Sequence, residues 1–314
     1  MIPSYAWTGA IALVVANVLL GISFRSILAI IASACALFVG LLVTYQESLM
    51  YVPVVSGFTT VDSNPAGYRS PAEYGLSFED TTVVTSDGVK IHVWYIPAES
   101  PSTAKVFLEC HGNAGNLGLR LPSMVAARKH LKVGVAIFDY RGFGSSTGKP
   151  SEAGLLKDLS AVHDWLLTRV RSDQIVLHGR SVGGSLVIQH ASKRAKGDFA
   201  GVLAENTFVS ISKVVDKQFP YLNIPYVKEL LLRLDWNTEK WLNNFPKDKP
   251  LLLISAVQDE IVPHDQRLHL EKIAKELSLK VALSVFPDHG HNDVWTAGHK
   301  YWSCQEAWLR SLKQ

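Results

Sequence analysis

Apolar and polar positions alternate along this chain with two periods. After an Asp87-Gly88 turn, residues 89–96 (VKIHVWYI) alternate in period two, which predicts an early antiparallel hairpin. Short continuous apolar runs then recur at 105–109, 133–140, 175–178, 199–204, 250–258 and 281–286, each of the length of a buried strand. Between them the period lengthens. Within residues 151–171, Leu155, Leu156, Leu159, Val162, Leu166 and Val170 form a helical stripe, after a Ser151-Glu152 start that resembles a cap. Strand, helix, strand in this order implies an α/β fold: a mostly parallel sheet covered by helices on both faces.

The N-terminal pattern is different. Residues 26–45 (SILAIIASACALFVGLLVTY) carry no charge, and at about 1.5 Å per residue they span roughly 30 Å, the thickness of a bilayer's hydrocarbon core. A transmembrane helix is predicted there. Residues 8–24 are also apolar but fewer, set off by Arg25, and read as an additional span of a hairpin or as an interfacial segment. The expected organisation is therefore a membrane anchor over 1–48 and one α/β domain over 49–314. No basic region precedes the apolar stretch, so a cleaved signal peptide fits poorly. Arg25 is the cation flanking the second run, and the positive-inside tendency would keep it cytosolic. The folded domain would then be lumenal or extracellular.

Composition narrows the functional classes. A 314-residue chain that is 47% hydrophobic can bury a sizeable core, and about 265 residues beyond the anchor suit one α/β domain. A formal charge of +3 without a basic block argues against nucleic acid as a partner. Three widely spaced cysteines, Cys35, Cys110 and Cys304, form neither a disulfide framework nor a zinc knuckle, and Cys110 reads as core.

The chemistry concentrates at strand ends. In 176–185 (VLHGRSVGGS), Ser181 stands in a Gly-x-Ser-x-Gly turn between an apolar run and a helix-forming stretch. A serine hydroxyl is a poor nucleophile unless held exposed beside a base, and a strained strand-to-helix turn does this. Gly and Ser also crowd ordinary turns, so the surroundings must decide. Upstream, 110–116 (CHGNAGN) is a glycine-rich loop of the kind that supplies an oxyanion-hole N–H, assigned to Asn113, with Val182 as the other donor. Downstream, Asp259 follows the 250–258 strand and suits an acid that orients a histidine. The loop after the last strand holds both His289 and His291, and spacing does not choose between them. Glu205, ending another strand, is a rival acid. His289, His291 and Asp293 have a metal-ligand spacing, but a metal site would leave the serine turn and the oxyanion loop unexplained.

The chain order Ser, Asp, His is that of an α/β-hydrolase. The segments HGNAGN, DYRGFGSSTGKPSE, GRSVGG, ENTF, QDEIVP and GHNDVW together resemble the α/β-hydrolase family that holds the fungal bud-emergence, plant wavy-growth and mammalian abhydrolase-domain proteins. The likeness runs from about Tyr45 to the C-terminus, and residues 45–53 (YQESLMYVP) resemble that group's juxtamembrane stretch. The resemblance implies Ser181 as nucleophile, Asp259 as acid and His291, within GHND, as base. It also implies that Asp139 and Arg141, in DYRGFG, belong to a structural loop. The implied activity is that of a serine hydrolase of the carboxylesterase, lipase or acyl-protein thioesterase class, acting on a small-molecule or lipidated-protein ester and needing no cofactor or metal. The competing expectation is a membrane-tethered scaffold in polarity or trafficking whose catalysis is dispensable. Residues 209–245, rich in aromatics and proline, read as a short lid insertion suited to an apolar substrate, the alternative being that they only cap the core.

Overall fold

The computed structural model describes residues 23–194, 198–218, 228 and 231–312. The chain divides into two compact units, Met1–Gln46 and Glu47–Gln314.

In the first unit, α1 (Phe24–Thr44) is 21 residues, none of them buried, with an 18-residue window of mean hydropathy 2.7, long and apolar enough to cross a membrane. It starts two residues before the uncharged run, because the Ser23 hydroxyl caps it by accepting from Ser26 N at 3.2 Å. Arg25 thus enters the first turn. The additional span expected over 8–24 falls, up to residue 22, outside the described residues.

The short helix α2 (Gln46–Met50) starts at the boundary, and the described residues of the second unit form an eight-stranded sheet: β1 (Glu79–Val84), β2 (Lys90–Ile96), β3 (Val106–Cys110), β4 (Gly134–Phe138), β5 (Ile175–Arg180), β6 (Gly201–Glu205), β7 (Leu251–Ala256) and β8 (Val281–Phe286). Their spatial order is β1-β2-β4-β3-β5-β6-β7-β8. β2 runs antiparallel to both of its neighbours, β1 and β4, and the other pairs are parallel. The predicted hairpin turn is present, with Gly88 at φ 81° and its N–H bonded to Thr85 O at 2.9 Å. The order reverses at β3: the chain steps outward to β4, then crosses back to β5. Such a reversal opens a crevice beyond the carboxyl ends of the strands.

Strand alternation divides the core in two. Val106, Leu108, Ile175, Leu177, Val202 and Ala204 point to one apolar cluster. Their neighbours Phe107, Val176 and Leu203 point to the other. The first cluster is closed by α4 (Glu152–Leu166) and α5 (Val182–Lys193), through Leu155, Leu159, Leu186 and Val187. The second is closed by α3 (Leu121–Leu131) and the final helix, α9 (His299–Ser311), through Leu121, Met124, Trp302 and Trp308. Burial on both faces explains why these strands read as continuous apolar runs.

Two strands outrun their apolar signal. β5 extends to Arg180 and β6 to Glu205, with these two residues in register, because the charged side chains have partners inside the fold. In the 209–245 insertion, α6 (Ile211–Gln218) and α7 (Thr238–Leu242) are described, whereas 219–227 and 229–230 lie outside the described residues. Trp236, Leu242 and Phe245 from this stretch are buried in the first cluster. The helix α8 (His264–Glu276) connects β7 to β8.

Candidate active site

Ser181 sits between β5 and α5 at φ 58°, ψ −120°, a conformation that costs a non-glycine residue on the order of 1–3 kcal/mol. The surrounding packing imposes it. A Cβ on Gly179 would lie 2.1 Å from Gly183 O, and one on Gly183 would lie 2.0 Å from Cys110 O. These glycines let α5 rise against β5 and β3, which leaves the serine at the apex of a sharp turn. Ser181 N donates to Glu205 O at 2.8 Å, and Thr207 Oγ1 donates to Ser181 O at 2.9 Å.

The base loop is held from several sides. His291 Nδ1–H donates to Asp259 Oδ2 at 2.7 Å, and both side chains are almost fully buried. The other carboxylate oxygen, Oδ1, accepts from Ile261 N at 2.9 Å and Val262 N at 2.6 Å, so the acid is oriented by its own loop. With the proton on Nδ1, Nε2 is left as the basic nitrogen. His291 N also donates to Glu260 Oε2 at 3.1 Å. Of the two loop histidines left open by spacing, His291 meets the acid. His289 instead lies edge-on to Phe286 at 6.2 Å.

Ser181 and His291 are tied to consecutive residues at the end of β6. Glu205 O accepts from Ser181 N, and Asn206 Nδ2 donates to His291 O at 2.9 Å. Asn206 also accepts from Ala256 N at 2.8 Å, at the end of the strand that leads to Asp259. Three chain segments far apart in sequence are thereby set at one rim of the sheet.

The predicted oxyanion loop lies against this rim. A Cβ placed on Gly112 would be 4.0 Å from Ser181 Cβ. Asn113 follows it, and Val182, as the first residue of α5, has no intrahelical acceptor for its N–H. His111 is fully buried with Nδ1–H donating to Gly112 O at 2.7 Å, and burial together with the nearby Arg120 pushes its pKa down to about 3. It is therefore neutral at physiological pH, and it packs on the Tyr140 ring at 4.1 Å between centroids.

Glu205, the rival acid, points elsewhere. Its carboxylate accepts from Tyr301 Oη at 2.5 Å and lies 4.0 Å from Arg180 Nε. Arg180 Nη1 reaches Asn292 O, next to the base, at 3.4 Å. Asp139 accepts from Leu117 N at 2.7 Å, and Arg141 bonds Asp158 through both its backbone N and Nε at 2.9 Å. Both serve the structural loop that the resemblance implied. Sequence reading gave no role to Asn206 and Arg180; both lie within recognisable motifs, ENTF and GRSVGG, but their partners come from distant loops.

Comparison with known proteins identifies the family to which this fold belongs. The prolyl oligopeptidase family profile matches residues 135–310. The plant α/β-hydrolase domain-containing protein WAV2 of Arabidopsis thaliana is 34% identical over 84% of this chain and 87% of its own. A Saccharomyces cerevisiae protein described as an uncharacterized membrane protein is 35% identical over 80% of this chain and 84% of its own. Protein bem46 of Schizosaccharomyces pombe is 32% identical over 81% and 83%. An esterase of Pyrococcus furiosus shares the fold at a TM-score of 0.65 and 21% identity, covering 84% of this chain and 99% of that one. The chain belongs to the α/β-hydrolase family, in the group that contains WAV2 and bem46.

Proposed function

We propose that this protein is a membrane-anchored serine hydrolase that cleaves an ester or thioester through a Ser181-His291-Asp259 triad. The observation that carries the reading is the 2.7 Å bond from His291 Nδ1 to Asp259 Oδ2, in a loop fixed to the strand end that also holds Ser181. Asp259 would hold the useful tautomer and stabilise the imidazolium that forms during reaction.

In the first step, His291 Nε2 takes the Ser181 proton as Oγ bonds to the acyl carbon. The carbonyl electron pair moves to oxygen, where the Val182 and Asn113 N–H groups receive it. Each such donor is worth roughly 3 kcal/mol of barrier. The tetrahedral intermediate collapses as the imidazolium gives its proton to the departing alkoxide or thiolate. Water then attacks the acyl-enzyme, passing a proton to His291, and Ser181 is regenerated.

The substrate class follows from the surroundings. The apolar α1, and the description of the yeast relative as a membrane protein, support attachment to an endomembrane or the plasma membrane. Arg25 in the first turn of α1 supports a lumenal or extracellular catalytic domain. A lid over an acyl chain remains our reading of the 209–245 insertion, carried by its sequence outside Trp236, Leu242 and Phe245, which belong to the core. A lipid or an S- or O-acylated protein is the substrate that fits these features. The test is turnover of p-nitrophenyl esters of graded chain length and of S-acylated peptides, with Ser181→Ala as the blank. Hydrolysis that depends on Ser181 supports the reading, and equal rates in the two proteins refute it.

A further inference from the structure

Residues 50–52 grip the oxyanion loop from outside the sheet. Val52 N donates to Asn113 O at 2.9 Å, and Gly115 N donates to Val52 O at 2.9 Å. Asn113 Nδ2 donates to Met50 O at 2.7 Å. On the other side of the same loop, Arg120 Nη2 donates to Ala114 O at 2.5 Å. Asn113 is thus held through its side chain and its carbonyl, just after the peptide that carries its N–H, and the next two residues are held through Ala114 O and Gly115 N.

The clamp is itself anchored. Tyr51, between Met50 and Val52, is buried, edge-on to Phe143 at 6.5 Å, and its Oη accepts from Trp236 Nε1 at 2.9 Å. Trp236 N donates to Glu152 Oε2 at 2.8 Å, and Gln189 Nε2 donates to Glu152 Oε1 at 3.0 Å. Gln189 belongs to α5, whose first residue is Val182. A circuit of side chains therefore runs from the Asn113 loop through Tyr51, Trp236 and Glu152 to the helix that supplies the other N–H.

We propose that residues 50–52 are a positioning strap that sets the Asn113 N–H against the Val182 N–H in the oxyanion hole, through the Asn113 side chain and the Tyr51 anchor. The proposal rests on the hydrolase reading above. Oxyanion donors act only within about 2.7–3.1 Å of the developing charge. A supporting residue that lets one slip by about 1 Å costs up to roughly 100-fold in rate. A strap that merely covered the core would affect melting and leave transition-state affinity alone.

The experiment uses the full-length protein and three variants. Asn113→Ala and Asn113→Leu each remove the bond to Met50 and keep the backbone N–H without adding charge. Tyr51→Phe keeps the buried ring and removes the acceptor for Trp236. The strap predicts a fall in kcat of about 10- to 100-fold for both Asn113 variants, and a smaller fall for Tyr51→Phe. KM should stay within about twofold, since ground-state binding is untouched. Affinity for a trifluoromethyl ketone, which forms a tetrahedral oxyanion on the serine, should fall by the same factor as kcat. The pH midpoint of kcat should not move, since His291 and Asp259 are unchanged. If the parent protein shows Ser181-dependent turnover and the variants match it in kcat and ketone affinity, the strap is overturned and the hydrolase reading stands. If the parent shows no Ser181-dependent turnover, both fall together.

Discussion

Asn206 joins the base loop to the strand that leads to the acid: its Nδ2 donates to His291 O at 2.9 Å while its Oδ1 accepts from Ala256 N at 2.8 Å. The residue is buried and held at φ 46°, a conformation that asparagine tolerates better than most side chains. Asn206→Ala would leave a buried N–H and a buried carbonyl unpaired, at about 1–3 kcal/mol for each group. Thermal melting should show that loss, and kcat should fall at least tenfold as the loop that carries His291 loses its tie to the end of β6. Asn206→Asp keeps the acceptor, so it should recover part of the stability and little of the rate.

The two acids at the rim should separate cleanly. Asp259→Asn alters the proton arrangement at His291 Nδ1 and should lower kcat by up to about 10⁴ with the fold intact. Glu205→Gln removes a charge that faces Tyr301 and Arg180, and should reduce kcat less than tenfold. Steady-state kinetics on both variants checks the assignment. A silent Asp259→Asn beside a crippling Glu205→Gln would reverse it.

The turn at Ser181 makes a steric prediction. A methyl group on Gly183 would sit 2.0 Å from Cys110 O and 2.7 Å from His111 O, backbone atoms that have no room to retreat. Gly183→Ala should destabilise by more than about 3 kcal/mol, or prevent soluble expression. Gly88 has nothing within 4 Å of a Cβ but stands at φ 81°, so alanine there should cost about 1 kcal/mol from backbone strain alone and asparagine less.

The buried imidazole pair gives a pH dependence with a definite sign. His190 Nε2–H donates to His163 Nδ1 at 2.8 Å, and His163 Nε2–H donates to Asp198 O at 2.9 Å. Burial, with Arg194 nearby, pushes His163 down to about 4, and burial beside His163 holds His190 well below its usual value. Arg194, Lys193, Asp164 and Asp198 are the charges acting on the pair. Unfolded, both imidazoles gain protons below about pH 6.5. The stability they contribute is therefore present above that pH and lost as pH falls from about 6.5 toward about 4. Each neutral histidine adds up to about 1.4 kcal/mol per pH unit to the slope. His190→Gln, whose amide can still donate to His163, should flatten the slope of unfolding free energy against pH by up to that amount. His92 and His178, which are raised and act in the opposite sense, are common to both proteins and cancel in the comparison. Identical slopes would contradict the assignment.

Much of this architecture was legible in the chain because each strand of the parallel sheet is buried on both faces and reads as an unbroken apolar run. The β8 limits coincide with the 281–286 run, and Ser151 caps α4, its hydroxyl accepting from Gly154 N at 3.2 Å. Ser181, the 110–116 loop, Asp259 and His291 stood out because sharp turns at strand ends need glycine and short polar residues at fixed offsets. The choice of His291 over His289 was not in the spacing, and came from resemblance. Arg180 and Glu205 looked like strand terminators because apolar periodicity stops there, yet their pairing across the sheet keeps them in strands. Asn206 and Tyr51 lie in segments that carry the family resemblance, but nothing local there, or around Trp236, signals the roles they play. Their roles depend on partners at sequence distances of 50 to 185 residues, and only the closed fold brings these together.

The most direct measurement of the central claim is reaction of the full-length protein with a fluorophosphonate probe, followed by mass spectrometry of the adduct. A single stoichiometric adduct is expected on the peptide containing Ser181, absent in Ser181→Ala and strongly slowed in His291→Ala. No adduct in the folded parent protein, or one that persists in Ser181→Ala, would contradict the claim.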